Sequence, residues 1–167
     1  MSRHTPKVAL VPSEFFEAGS AREILSRTVL LDENDSVEYI SMPEFSAVLV
    51  YSLSVILSDA LSLPKGEAKD PPELYNVLKA LSAVTEHNRI VASYGDGVLS
   101  LAIAQGGNLL LANVFQAADF TTAEYFLFMA VRRLQLNPEV STVHFLTTLS
   151  DEEEMSLYRY FKSVEQK

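Results

Sequence analysis

Few of the residues in this chain are spaced for chemistry. Cysteine is absent, which removes thiolate nucleophiles, thiolate zinc sites and disulfides together. The three histidines, His4, His87 and His144, lie far apart, and none has a partner at metal-ligand spacing. His144 stands between Val143 and Phe145 in an alternating run, which places it on the face of a strand. Asp151-Glu152-Glu153-Glu154 lacks the alternating ligands and the glycine of a calcium loop, and acid at a helix start accounts for it. Arg132-Arg133 closes an apolar helical pattern, where cations complement the helix dipole. Asn113 falls at the end of an apolar run, where its side chain would cap a bend. Gly95-Asp96-Gly97 joins two apolar runs and has the chemistry of a tight hairpin. There is no Gly-x-Ser-x-Gly elbow, no lysine-bearing glycine loop and no His-Glu-x-x-His.

The elements that would position such residues belong to a globular chain. A hydrophobic fraction of 48% and a charged fraction of 21% exclude disorder and low-complexity classes. The 167 residues suffice to bury a core without staples. Net charge is −9 with 13 basic residues, so nucleic-acid binding would need a local basic patch, and the sequence has none. Val8 to Val11 is too short for a signal-peptide core. The longest apolar stretch, Phe45 to Leu63, carries Ser46, Ser52, Ser54, Ser58 and Asp59, and it reads as a buried strand running into a short helix instead of a membrane span. A cytoplasmic protein with no membrane segment is expected.

The breaker-rich stretch Pro64 to Pro72 divides the chain. Before it, Val8 to Val11 reads as a strand, Ser20 to Arg27 as a helix, and Val29–Leu31 with Val37–Ile40 as the arms of a hairpin around Asp32-Glu33-Asn34-Asp35. After it, Asp70, Pro71 and Glu73 signal a helix start, with Leu74, Val77, Leu78, Leu81 and Val84 on one face. Three strands follow, Arg89–Tyr94, Leu99–Ala104 and Leu109–Phe115, joined by Gly95-Asp96-Gly97 and Gln105-Gly106-Gly107-Asn108 as an antiparallel meander. A helix over Thr121–Leu134 is capped by Thr121 and Glu124 and ended by Asn137-Pro138. Ser141–Thr148 alternates as a strand, and Ser150 with Glu153 caps a helix running to about Val164. The order β-β-β-α-β-α is that of a ribonuclease-H-like α/β unit, whose fourth strand lies parallel to the first through a right-handed crossover. A two-metal nuclease would need acids on those two strands, and neither Arg89–Tyr94 nor Ser141–Thr148 has one.

Leu109-Leu110-Leu111-Ala112-Asn113-Val114-Phe115, Thr121-Thr122-Ala123-Glu124-Tyr125 and Leu134-Gln135-Leu136-Asn137-Pro138 resemble an uncharacterised bacterial family with an actin-like ATPase fold. Leu10-Val11-Pro12-Ser13-Glu14-Phe15-Phe16 resembles that family's opening segment, so the resemblance covers most of residues 8–164. It implies two ribonuclease-H-like lobes. Residues 1–66 would then be a partial first lobe and 67–167 the second, because no three-strand meander precedes Val8. The missing strands would be lost or supplied by a partner. Phe15, Ala18 and Glu23 echo Phe115, Ala118 and Glu124 in order, as duplicated lobes would.

Active members of the actin-like superfamily hold phosphate in a hairpin reading Asp-x-Gly-x-Gly followed by Thr or Ser, with the Asp serving Mg²⁺. The matching segment here is Ser93-Tyr94-Gly95-Asp96-Gly97-Val98. Both glycines match, Ser93 replaces the aspartate, Val98 replaces the hydroxyl residue, and Asp96 is displaced into the turn. Ser93, Gly95, Asp96 and Gly97 are therefore the candidate residues for ATP with Mg²⁺, in a loop that departs from the pattern. The expected protein is a non-catalytic interaction or assembly module, working with a protein partner or as a homo-oligomer. An actin-like ATPase is the alternative.

Overall fold

The computed structural model describes residues 4–54 and 71–167. It divides into two compact units, Met1–Pro72 and Glu73–Lys167. The Pro64–Asp70 stretch, the Asp70 cap and the short helix expected before Leu63 lie outside the described residues.

In the first unit, strand β1 (Val8–Pro12) leads through two 3₁₀ turns into helix α1 (Ala21–Ser26). Strands β2 (Asp35–Met42) and β3 (Ala47–Ser54) follow, joined by a 3₁₀ turn at Pro43–Phe45. The sheet order is β1-β3-β2, antiparallel throughout. The last strand takes the centre because Val48-Leu49-Val50-Tyr51 is buried on both faces, as a central strand requires. Ala21 and Leu25 of α1 pack on Val48 and Val50. The expected hairpin is not formed. Val29–Leu31 is irregular, with Val29 and Leu31 packed against this core and Leu30 exposed, and the partner of β2 is β3. The backbone N–H groups of Thr28 and Val29 are spent on the carbonyl of Leu25, so the segment winds off the helix instead of extending. The turn between β2 and β3 instead closes at Ser46, with φ of 50°.

Asp35, buried at the start of β2, accepts from Lys7 Nζ at 2.5 Å and from the Asp32 N–H at 2.8 Å. Arg22 donates to the carbonyls of Asp35 and Asp32. The Lys7 hydrogen bond, then the Asp32 N–H, hold the Asp35 carboxyl below its ordinary 3.8. A carboxyl depressed in the folded state adds stability above its unfolded value and loses it as pH falls through the folded one. Thermal melts at pH below 3.8 are therefore expected to fall less steeply for Asp35→Asn than for the natural chain, at the cost of lower stability at neutral pH.

The second unit begins with helix α2 (Glu73–Ala83) and the meander β4 (Asn88–Gly95), β5 (Val98–Gln105) and β6 (Asn108–Gln116). Helix α3 (Phe120–Arg133), strand β7 (Thr142–Phe145), helix α4 (Asp151–Tyr158) and strand β8 (Ser163–Gln166) complete it. The sheet order is β6-β5-β4-β7-β8, with the meander antiparallel and β4, β7 and β8 mutually parallel. This is the mixed ribonuclease-H-like sheet the element order implied.

One part of that expectation is corrected. The last helix ends at Tyr158, and a fifth strand follows it. Leu157, Phe161 and Val164 are spaced like a helical stripe, yet only Leu157 lies on the helix. Phe161 and Val164 reach the same core from the loop and from β8, where Val164 pairs with Val143.

The two sheet faces divide by alternation along each strand. Ile90 and Ala92 of β4, Leu99, Leu101 and Ile103 of β5, and Val143 and Phe145 of β7 face the core built with Leu127, Val131 and Leu157 of α3 and α4. Val91 and Ser93 point to the other face, where α2 packs on β4 and β5 with Leu74, Val77, Leu78 and Leu81 buried. The cap of α3 is also corrected. Asp119 accepts the Thr122 N–H at 2.8 Å, so Asp119 performs the role expected of Thr121, one residue outside the Phe120 start. The Ser150–Glu153 capping box forms as expected. The echo between Phe15 and Phe115 is not structural. Phe15 lies in an exposed 3₁₀ turn, whereas Phe115 lies in β6, stacked on Phe126. Among the described residues no helix is long and apolar enough to cross a membrane.

Candidate functional site

The hairpin between β4 and β5 is built from its turn residues. Gly95 pairs with Val98 across it, and the two residues between, Asp96 and Gly97, take φ of 50° and 70°. A two-residue loop with both residues left-handed matches the right-handed twist of its strands, and aspartate followed by glycine is the pair that tolerates it. The Gly97 carbonyl accepts the Ala117 N–H at 2.8 Å, which ties the turn to the end of β6. A Cβ added at Gly97 would meet nothing closer than the Ala117 oxygen at 3.6 Å, so backbone conformation rather than space demands glycine.

Ser93 lies two residues back on β4 and turns away from the hairpin mouth. It has no exposed surface, and its Oγ donates to Glu73 Oε1 at 2.5 Å. Glu73 opens α2, is 5% exposed, and accepts from Asn76 Nδ2 through its other oxygen at 3.1 Å. The serine that the sequence pattern aligns with a phosphate-loop aspartate therefore has its hydroxyl committed to a buried carboxylate. The structure keeps Ser93, Gly95, Asp96 and Gly97 contiguous on one strand and turn, but aims the Ser93 side chain into the α2 face.

The sequence marks Glu73 as a helix start, and its place in the helical stripe carries a second meaning. Residues 73, 77 and 81 follow the stripe that buries Val77 and Leu81, so Glu73 had to point inward. A carboxylate there needs donors, and the start of a helix supplies a favourable field for it.

Around the hairpin the charges are acidic. The Tyr94 hydroxyl donates to the Ala117 carbonyl at 2.8 Å. Burial first, then the carboxylates of Asp119 and Glu153, push its pKa up. Segments 94–100, 115–125 and 146–156, which meet at this end of the sheet, contain no lysine or arginine. A phosphate brought to Gly95–Gly97 would face carboxylates with no cation from these segments to offset them. Among the described residues no group of three or more His, Asp or Glu side chains could hold a metal ion.

The remaining sequence candidates are structural. His144 is buried on the α2 face of β7, with Nε2 3.1 Å from Glu86 Oε1. Glu165 Oε2 lies 3.2 Å from Nδ1 but out of line, and Nδ1 makes no hydrogen bond. Burial would raise the Glu86 carboxyl, but its own backbone N–H and His144 together leave it below the ordinary value. Asn113 is not at a strand end. It is exposed in the interior of β6, and its Oδ1 accepts the N–H of Val114 at 2.8 Å. Asp151–Glu154 forms the first turn of α4, and Arg132 and Arg133 the last turn of α3.

The fold has relatives among solved structures. A Bacteroides thetaiotaomicron protein with actin-like ATPase fold and unknown function matches 98% of this chain at a TM-score of 0.79 and 22% identity. The chain spans 66% of that protein's length. A PilM–PilN type IV pilus biogenesis complex matches 96% of the chain and 65% of its own, at a TM-score of 0.49 and 15% identity. No curated protein matches. The likeness to the Bacteroides thetaiotaomicron protein shows the actin-like ATPase fold. Residues 3–164 match the family described as "Protein of unknown function (DUF3822)".

Proposed function

We propose that this chain, which belongs to the DUF3822 family, is a non-catalytic actin-like interaction or assembly module that works with copies of itself or a protein partner. One observation carries the reading. Where a nucleotide-dependent member would place a magnesium-serving aspartate, this chain has Ser93 locked to the buried Glu73. The acidic surroundings of the Gly95–Gly97 turn support the same conclusion. Tyrosines left half-exposed on the second unit, Tyr125, Tyr158 and Tyr160, are of the type enriched at protein interfaces. The absence of cysteine fits a reducing, cytoplasmic setting.

The competing reading is an actin-like ATPase using Ser93, Gly95, Asp96 and Gly97 with ATP and Mg²⁺. A thermal-shift titration separates the two. A ligand at 100 times its dissociation constant adds about 2.7 kcal/mol of stability, a displacement of several degrees. The module reading expects no displacement at millimolar Mg-ATP. A saturable rise in melting temperature would overturn it.

A further inference from the structure

Charge in the second unit is separated along the strand direction. Helices α3 and α4 each connect the end of one strand to the start of the next parallel strand, so both run opposite to β4, β7 and β8. Their starts share one end of the sheet and their ends share the other. At the starting end lie Asp96, Asp119, Asp151 and Glu152, all exposed, with Glu153 and Glu154 beside them, and segments 94–100, 115–125 and 146–156 add no cation. Tyr94 feels both Asp119 and Glu153, which shows that the acids of α3 and α4 converge.

At the finishing end stand Arg132, Arg133 and Lys162, also exposed. The Lys162 N–H donates to the carbonyls of Pro138 and Ser141, which brings the start of β8 beside the segment that leaves α3. None of the three cations has an ion-pair partner among the described residues; the acid nearest in the chain to Arg132 and Arg133 is Glu139, and to Lys162 it is Glu165. Arg159 instead lies within electrostatic reach of Glu124. Phe128, one turn before Arg132, packs at a tilt against Tyr160, which is 50% exposed, at a centroid distance of 4.4 Å. Arginine and tyrosine together at an exposed patch are the residues that anchor interfaces.

Helix dipoles account for each charge singly, but not for a chain of net charge −9 whose second unit gathers unpaired cations at one end and sets a run of acids at the other, where Lys167, its N–H on the Phe145 carbonyl, is outnumbered by them. We infer that the Arg132, Arg133, Lys162 and Tyr160 surface docks the acidic end of a second copy of this chain, centred on Asp151 and Glu152. The chain itself carries the complementary charge at the opposite end of the same layer, and that selects the occupant. Two different surfaces meeting head to tail make a heterologous contact, which propagates into open assemblies unless it closes into a ring. This inference rests on the assembly reading above and names its partner.

The test is sedimentation velocity of the full chain at low salt and at about 0.5 M salt, where screening shrinks the range of exposed charges to a few ångströms. The natural chain should associate at low salt and dissociate at high salt. R132E/R133E and D151K/E152K should each be monomeric alone, because each then presents like charge at both ends. Mixed one to one they should associate again, alternating, and this also proves both variants folded. A natural chain that stays monomeric at low salt overturns the inference, as do variants that associate like the natural chain. Both outcomes differ from a nucleotide-induced thermal shift, which would overturn the module reading instead.

Discussion

Replacing Ser93 with aspartate is expected to destabilise the second unit by about 3 kcal/mol or more, because it sets a second carboxylate against buried Glu73. Two carboxylates in that place repel each other, and Asn76 is the only other donor to Glu73 within hydrogen-bond distance among the described residues. The change restores the aspartate of the phosphate-loop pattern, so it also asks whether the rest of the site is ready to use one. Urea unfolding followed by circular dichroism gives the stability. The companion variant Ser93→Asp/Glu73→Gln should recover most of the loss, since a neutral amide can donate to the new carboxylate. Ser93→Ala should cost less, about 1–3 kcal/mol, the price of leaving a buried acceptor short of a donor. Ser93→Asp as stable as the natural chain would mean that Glu73 is not held where it is described.

The second large effect belongs to the core beneath the same sheet. Phe145→Ala should cost about 3–5 kcal/mol, through lost burial and the cavity left behind. Phe145 is 1% exposed on β7, in the core that α3 and α4 close. Its ring lies 6.1 Å from that of Phe120, whose edge in turn meets Tyr94 at 5.9 Å. The loss should therefore reach the hairpin: amide exchange at residues 94–97 is expected to quicken along with global unfolding. A cost below about 1 kcal/mol would show that the core collapses around the gap.

The meander was legible because its turns are. Gly95-Asp96-Gly97 and the paired glycines at 106 and 107 admit tight hairpins and little else, and the apolar runs between them fix the strands. The parallel return of β7 followed from handedness once the α3 pattern was read. Strand β8 was hidden by Leu157, Phe161 and Val164, whose spacing fits a helix as well as it fits a helix, a loop and a strand converging on one core. Only tertiary pairing with β7 decides between them. Val29–Leu31 misled in the opposite direction: Val29 and Leu31 are half-buried here in a loop, with Leu30 exposed between them, and form no strand. The candidate site was half legible. Its glycines and Ser93 could be named from the pattern, but Glu73 is brought to Ser93 by α2 folding back over the meander, twenty residues away in the chain.

On the reading we propose, the Gly95–Gly97 turn takes no phosphate, because the Ser93 hydroxyl is committed to Glu73. Residue-resolved hydrogen exchange of the chain, with and without saturating Mg-ATP, measures this at the turn itself. Backbone N–H groups cradling a phosphate would be protected. The account predicts unchanged exchange at Gly95, Asp96, Gly97 and Val98, and protection at these four amides on adding Mg-ATP would contradict it.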